Sequence, residues 1–343
     1  MMKKILFFIS LHAIHFVLPT YLLATSLVGT SSIVYKNANY IFRNGDTCEG
    51  FVRLDDGFTI LAGATVTFDT FITVSAGMDL RSTGNLSLLS DLFFDIDSTF
   101  SNGGTINARN NTIHLGTKTT TQAGSVWQFV SNATLDGHGN TLILDAFTQL
   151  SLAENVSVTL KNMYLKTTHN NSSTPIISCA GASSQITFDN VTLALADNFP
   201  FSTGRMFFSN DVVFTGTSQF IYQSSAACYV LPQSLVTFAP GTTLYYLPSA
   251  ANKDLFRLTD KSSGLYFNSS TLLYTDTGLR LTTGRLWFDN KITLSTTVPQ
   301  RATLTNGLVF GNATAGSTYD IDIFLMAGSY VQLSGFLKYD TTV

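Results

Sequence analysis

The feature that most constrains this chain is a short frame that recurs down most of its length: an apolar residue, a polar one, a small or turn-forming one, then apolar residues again. It reads Ile106-Asn107-Ala108, Leu135-Asp136-Gly137, Leu160-Lys161-Asn162, Phe188-Asp189-Asn190, Phe214-Thr215-Gly216, Phe238-Ala239-Pro240 and Phe267-Asn268-Ser269. The leading residues lie 29, 25, 28, 26, 24 and 29 positions apart, a mean of (267 − 106)/6, about 27. Self-similarity at such a period marks units that bury a common core only by stacking. The chain is therefore expected to be a solenoid.

Composition selects strands as the material of its coils. Charged residues make up 12% of the chain, about half the usual share in soluble domains. Only two glutamates occur, Glu49 and Glu154, while Phe occurs 27 times. Replacing Glu and Lys by Thr, Ser, Asn, Val, Ile and Phe removes the usual material of solvated helix faces and favours β structure. Short runs such as Val66-Thr67-Phe68, Thr141-Leu142-Ile143-Leu144 and Val156-Ser157-Val158-Thr159-Leu160 alternate apolar with polar, the pattern of strands with one face inward. The frame supplies the bends between them. In Leu160-Lys161-Asn162 and Phe188-Asp189-Asn190 an Asn can take a left-handed backbone conformation that a β-branched residue resists. Stacked coils would set these residues in an Asn or Gly ladder along one edge.

A longer relation reinforces the repeat. Ser202-Thr203-Gly204-Arg205-Met206-Phe207-Phe208 is echoed 80 residues later by Thr282-Thr283-Gly284-Arg285-Leu286-Trp287-Phe288. A turn that recurs because coil geometry recurs is the preferred explanation. The alternative is a binding ridge presenting Arg205 and Arg285 on one face.

The first residues read as a leader. Lys3 and Lys4 precede an apolar run from Ile5 to Val17, and Leu22-Leu23-Ala24 offers a small-residue cleavage end. His12, His15 and Pro19 interrupt the run, which is short for a membrane span. Residues 1–24 are thus expected to be a signal peptide, 25–60 an N-terminal cap and 61–343 the solenoid, in a chain that is exported to the periplasm, the cell surface or the medium. Without Lys3 and Lys4 the mature chain carries 19 − 2 = 17 basic against 22 acidic residues. It has no basic run, so nucleic acid and anionic lipid are poor partners. No later segment is long and apolar enough to span a membrane. Cys48, Cys179 and Cys228 are odd in number and widely spaced, so they define no disulfide framework, although one bridge among them stays open. Cys179 and Cys228 lie in Ser/Ala-rich stretches and read as small buried side chains.

The frame, the Asn turn and the phrase Ala133-Thr134-Leu135-Asp136-Gly137-His138-Gly139-Asn140-Thr141-Leu142 resemble the right-handed parallel β-helix superfamily, the pectate-lyase-like fold. The resemblance covers roughly residues 60 to 335. It implies an all-β chain in coils of roughly 24–29 residues, wound around a filled apolar core. It says little about activity, because the superfamily holds polysaccharide lyases, glycoside hydrolases, phage tailspikes and non-catalytic surface proteins.

Gly137-His138-Gly139 is similar to a polygalacturonase tripeptide, but the family's accompanying Asn-Thr-Asp, Asp-Asp and Arg-Ile-Lys signatures are missing from the neighbouring coils. The tripeptide is read as a turn. If the chain were an enzyme, the catalytic candidates would be Asp95, Asp97, Asp136 and His138, since glycoside hydrolysis needs two carboxyl groups facing one sugar. A lyase would add a Ca²⁺ held by clustered carboxylates. Asp320 and Asp322, like Asp95 and Asp97, share a strand face and are the weak metal candidates. His114, His138 and His169 each lack a Cys or His at ligand spacing, so no transition metal is expected and no cofactor is assigned. Arg205, Arg285, Tyr245 and Tyr246 are the candidate ligand contacts. The preferred function is a non-catalytic exported solenoid with a structural, adhesive or glycan-contacting role, its partners glycans or cell-surface proteins. A divergent polysaccharide lyase or glycoside hydrolase is the alternative.

Overall fold

The computed structural model describes side chains at 88, 92, 106–115, 119–121, 126–144, 146–168, 175–250, 252–275, 278–295 and 321–332. Elsewhere between 26 and 339 it describes strand backbones alone, and the leader read at 1–24 lies outside the described residues. Period-two alternation becomes strand throughout: Gln219–Tyr222, Leu235–Phe238 and Thr243–Tyr246 each alternate half-buried with buried positions. Neighbouring strands pair in parallel from one coil to the next, giving a parallel β-solenoid with no helix among the described residues.

Three rows of strands form its walls, and inward side chains stack along each row from coil to coil. In the first row Ile113, Leu135, Leu160, Phe188, Phe208, Val230 and Leu258 follow one another in register. The second row stacks Leu142, Leu165, Leu193, Phe214, Phe238, Phe267 and Phe288. The third holds Phe199, Phe220, Leu244, Leu272 and Leu294 on later coils, and Ile106, Phe129, Leu152 and Cys179 on earlier ones. All of these are buried and together form one core. The abundance of Phe has a geometric reason. Strands pair roughly 4.8 Å apart, close to the offset-stacking distance of aromatic rings. Phe214 to Phe238 and Phe238 to Phe267 each measure 5.1 Å between ring centroids, with interplanar angles of 6° and 12°.

The bend from first to second row is made inside single long strands. In Ser157–Thr167 the inward set changes parity at Lys161 and Asn162, and Asn162 has φ 49°. Asn190, Asn210 and His138 occupy the same bend in Gln185–Leu195, Arg205–Gly216 and Ala133–Leu144, with φ of 56°, 55° and 50°. The expected ladder is present here: Asn190 Nδ2 donates to Asn162 Oδ1 at 3.0 Å, and Asn210 Nδ2 donates to Asp189 Oδ1.

The recurring frame does not mark one bend only. Leu135, Leu160 and Phe188 lead the bend from first to second row, whereas Phe214, Phe238 and Phe267 lead the next one and Ile106 leads the return to the first. The coil partner of Phe188 is therefore Phe208, 20 residues on, and not Phe214. Coils also vary more than the frame suggests, from the 18 residues between Tyr40 and Phe58 to the 39 between Lys291 and Tyr330.

The Thr-Gly-Arg echo resolves as geometry. Gly204 and Gly284 have φ of 91° and 100°, and a Cβ on either would lie 2.6 Å from Cys179 Sγ or 2.5 Å from Leu258 Cδ1. The following amides repeat one bond, Arg205 N–H to Ser184 O and Arg285 N–H to Ser263 O, at 2.8 and 2.9 Å. Arg205 aligns with Gln185 in the first row, while Arg285 aligns with Gly264 and Asp322 in the second. Both are exposed, but they do not share a ridge.

Cys179 and Cys228 are buried free thiols. Burial pushes Cys179 up to about 12 and Cys228 well above its ordinary value, so neither is a nucleophile at neutral pH. The side chain of Cys48 lies outside the described residues.

Candidate functional site

The first-row bend near residue 138 gathers the densest set of chemical groups among the candidates. Thr112–His114 pairs with the first part of Ala133–Leu144, so Ile113 meets Leu135 inside and His114 meets Asp136 outside. Two residues past Asp136 the chain turns at His138. Gly137 permits the turn because a Cβ there would lie 2.5 Å from Met163 Cβ, and Gly139 continues it with φ 85°. The turn sets the His138 ring edge to edge with that of His114, centroids 5.0 Å apart and planes 13° apart.

Two nitrogens meet between the facing edges. His114 Nδ1 lies 2.8 Å from His138 Nε2, a hydrogen bond in which one ring donates and the other accepts. Asp136 Oδ1 accepts the His138 backbone N–H at 3.0 Å and stands 3.8 Å from His138 Nδ1. The Asn162 amide approaches the same oxygen at 3.5 Å from the next coil. Both Asp136 and His114 are half-buried and His138 is exposed. The cluster can share a proton between its rings or offer donor atoms to a ligand.

Asp136 also belongs to an outward column. Lys161 follows it in register, then Asp189, then Ser209. Two carboxylates thus stand two rungs apart with a lysine between them. Each is already engaged at a bend: Asp136 accepts from His138 N–H, and Asp189 accepts from Asn210.

Other candidates fare differently. Tyr246 is fully buried, its hydroxyl donating to Asn252 O at 2.6 Å and accepting from Leu255 N–H at 3.1 Å. Its ring is unavailable to a ligand, because strand alternation turns Tyr246 inward and Tyr245 outward. Tyr245 stands half-exposed between Ile221 and Leu273. Asp322 is exposed beside Arg285, while the side chain of Asp320 and both Asp95 and Asp97 lie outside the described residues. His169 is outside them too.

The outer face carries aromatic groups that sequence reading did not single out. On the second row Thr141, Tyr164, Thr192, Val213, Thr237, Tyr266, Trp287 and Phe324 form one outward column. Trp287 lies over Gly264, whose Cβ would come within 2.4 Å of Cζ3, and stacks on Phe324 at 5.4 Å and 14°. On the first row Phe207 stacks on Tyr229 at 5.0 Å, and the Arg257 guanidinium lies 5.8 Å from the Tyr229 ring centroid. Tyr266 donates to Asp289 Oδ2 at 2.5 Å, a bond that holds its hydroxyl protonated and raises its pKa above the ordinary value.

These walls, bends and outward columns define the class of protein as a parallel β-solenoid. No family model, curated protein or solved structure matches the chain. Among the described residues no helix is long and apolar enough to cross a membrane.

Proposed function

We propose that this protein is an exported solenoid of a cell surface or envelope that acts without catalysis, as a structural or adhesive element whose outer face contacts a glycan. The observation that supports this reading is the outward column of the second row. It sets one side chain per coil, threonines and a tyrosine with one valine on the earlier coils, and ends in Tyr266, Trp287 and Phe324. Sugars are bound by such mixtures: an aromatic surface covers their C–H faces, while polar groups meet their hydroxyls. A polymer lying along the solenoid axis would meet hydroxyls on the earlier rungs and rings on the last three. Low charge agrees with a neutral or weakly charged polymer.

The second reading, a divergent polysaccharide lyase or glycoside hydrolase, is favoured by one observation. Asp136 and Asp189 stand two rungs apart, roughly 9–10 Å along the row, near the carboxyl separation of inverting glycosidases. The hydrogen bonds that tie both carboxylates to the bends favour a bracing role instead.

The test is retention of the purified chain on immobilised neutral and acidic polysaccharides, beside Trp287→Ala and Tyr245→Ala variants. Retention on at least one polymer, lost in Trp287→Ala and kept in Tyr245→Ala, is the expected result. Equal retention of Trp287→Ala would remove the second-row column from the account.

A further inference from the structure

We propose that His114, Asp136 and His138 form a binding site for a divalent transition metal of the Zn²⁺ class. This is independent of the glycan reading and uses none of its residues. His114 Nδ1, His138 Nε2 and a carboxylate oxygen of Asp136 supply the donors. The ligand atoms offered by the three side chains all lie within 4.8 Å of one another.

The donor set selects the metal. Two imidazoles and one carboxylate suit Zn²⁺, Ni²⁺ and Cu²⁺, whereas Ca²⁺ and Mg²⁺ require mostly oxygen ligands. Three protein ligands on the outer face leave the remaining positions to water.

Distance decides how much must move. A tetrahedral ion with Zn–N bonds of about 2.0–2.1 Å sets its ligands roughly 3.3 Å apart. The two ring nitrogens now lie 2.8 Å apart, so the rings must part by about 0.5 Å. The His138 side chain is 52% exposed, so this ring has solvent to move into. The proton now shared between the rings leaves that line, passing to the outer nitrogen of one ring or to water.

The backbone already fixes the ligands. His114 and Asp136 are register partners on adjacent strands, and His138 is held in a left-handed turn between two glycines, one of which has no room for a Cβ.

The experiment uses the untagged full chain. Zn²⁺ is titrated calorimetrically and Cu²⁺ by electron paramagnetic resonance, for the native protein and for His114→Gln, His138→Asn and Asp136→Asn. Asn is chosen at 138 because it tolerates the left-handed backbone; circular dichroism checks that each variant folds. The expected result is one equivalent of metal, a Cu²⁺ spectrum with two coupled nitrogens, and affinity about tenfold or more weaker in each variant. Absence of binding by the native chain, a spectrum without two nitrogens, or undiminished affinity in His114→Gln would overturn the proposal. Should a variant fail to fold, the native Cu²⁺ spectrum still decides.

Discussion

The side-chain amide of Asn190 donates to Oδ1 of Asn162 at 3.0 Å, joining two residues that hold the same left-handed bend on adjacent coils. Each is needed twice, for a backbone that disfavours other L residues and for a bond along the solenoid. Replacing Asn162 by Ala forfeits both, a left-handed cost of about 1–2 kcal/mol and a hydrogen bond of about 1 kcal/mol. Replacing it by Gly forfeits only the bond. Chemical denaturation should therefore rank native above Asn162→Gly above Asn162→Ala.

Glycines separate conformation from space. Gly204 and Gly139 both have positive φ, but an added Cβ would meet Cys179 Sγ at 2.6 Å in the first and nothing within 4 Å in the second. Gly139→Ala should cost about 1–2 kcal/mol. Gly204→Ala adds overpacking of about 1–3 kcal/mol. Thermal melts of the two variants should differ clearly, with Gly204→Ala the lower.

Inward and outward rings should differ just as clearly. Phe214 is buried and stacked between Phe220 and Phe238, so Phe214→Ala should cost about 3–5 kcal/mol. Phe207 is half-exposed on the outer face and stacked on Tyr229, and Phe207→Ala should lose about 1 kcal/mol. Urea midpoints give both values.

Asp260 should make part of the stability depend on acid. Its carboxylate accepts the Ser262 hydroxyl at 2.7 Å and the Ser262 and Ser263 amides at 2.8 and 3.1 Å. These bonds, the Ser262 hydroxyl foremost, hold its pKa below the ordinary value. A group depressed in the folded state stabilises above its unfolded pKa, and that stabilisation disappears as pH falls through the folded one. The native chain should exceed Asp260→Asn in stability at pH 7, and the gap should close on titration below about pH 4.

The thiols offer a check on burial. In a Cys48→Ser background, Cys179 and Cys228 should resist a disulfide-exchange reagent at pH 8 and both react in denaturant. Fast labelling of the folded chain would place one of them outside the core.

Much of the fold was legible in the sequence because alternation and bend chemistry are local. Val158, Leu160, Met163 and Leu165 face inward where their spacing puts them, with the parity change at Lys161 and Asn162. The phase of the repeat was less legible. Every corner asks for the same thing, an inward apolar residue followed by one that accepts a left-handed backbone. Phe188-Asp189-Asn190 and Phe214-Thr215-Gly216 therefore look like one corner and are two. Tyr245 and Tyr246 could not be told apart until the strand's inward face was known. The pairing of His114 with His138 depends on lateral register, which no spacing rule for metal ligands within a single element contains. The available signal was their separation of 138 − 114 = 24 residues, close to one coil.

The most direct test of a non-catalytic solenoid is a time course of new reducing ends when the chain is incubated with polysaccharides that retain it, with and without Ca²⁺. The account predicts bound polymer of unchanged length and a flat time course, identical for native chain and Asp136→Asn. Reducing ends that accumulate with the native chain and stop accumulating with Asp136→Asn would contradict it and make the bend at His138 an active site.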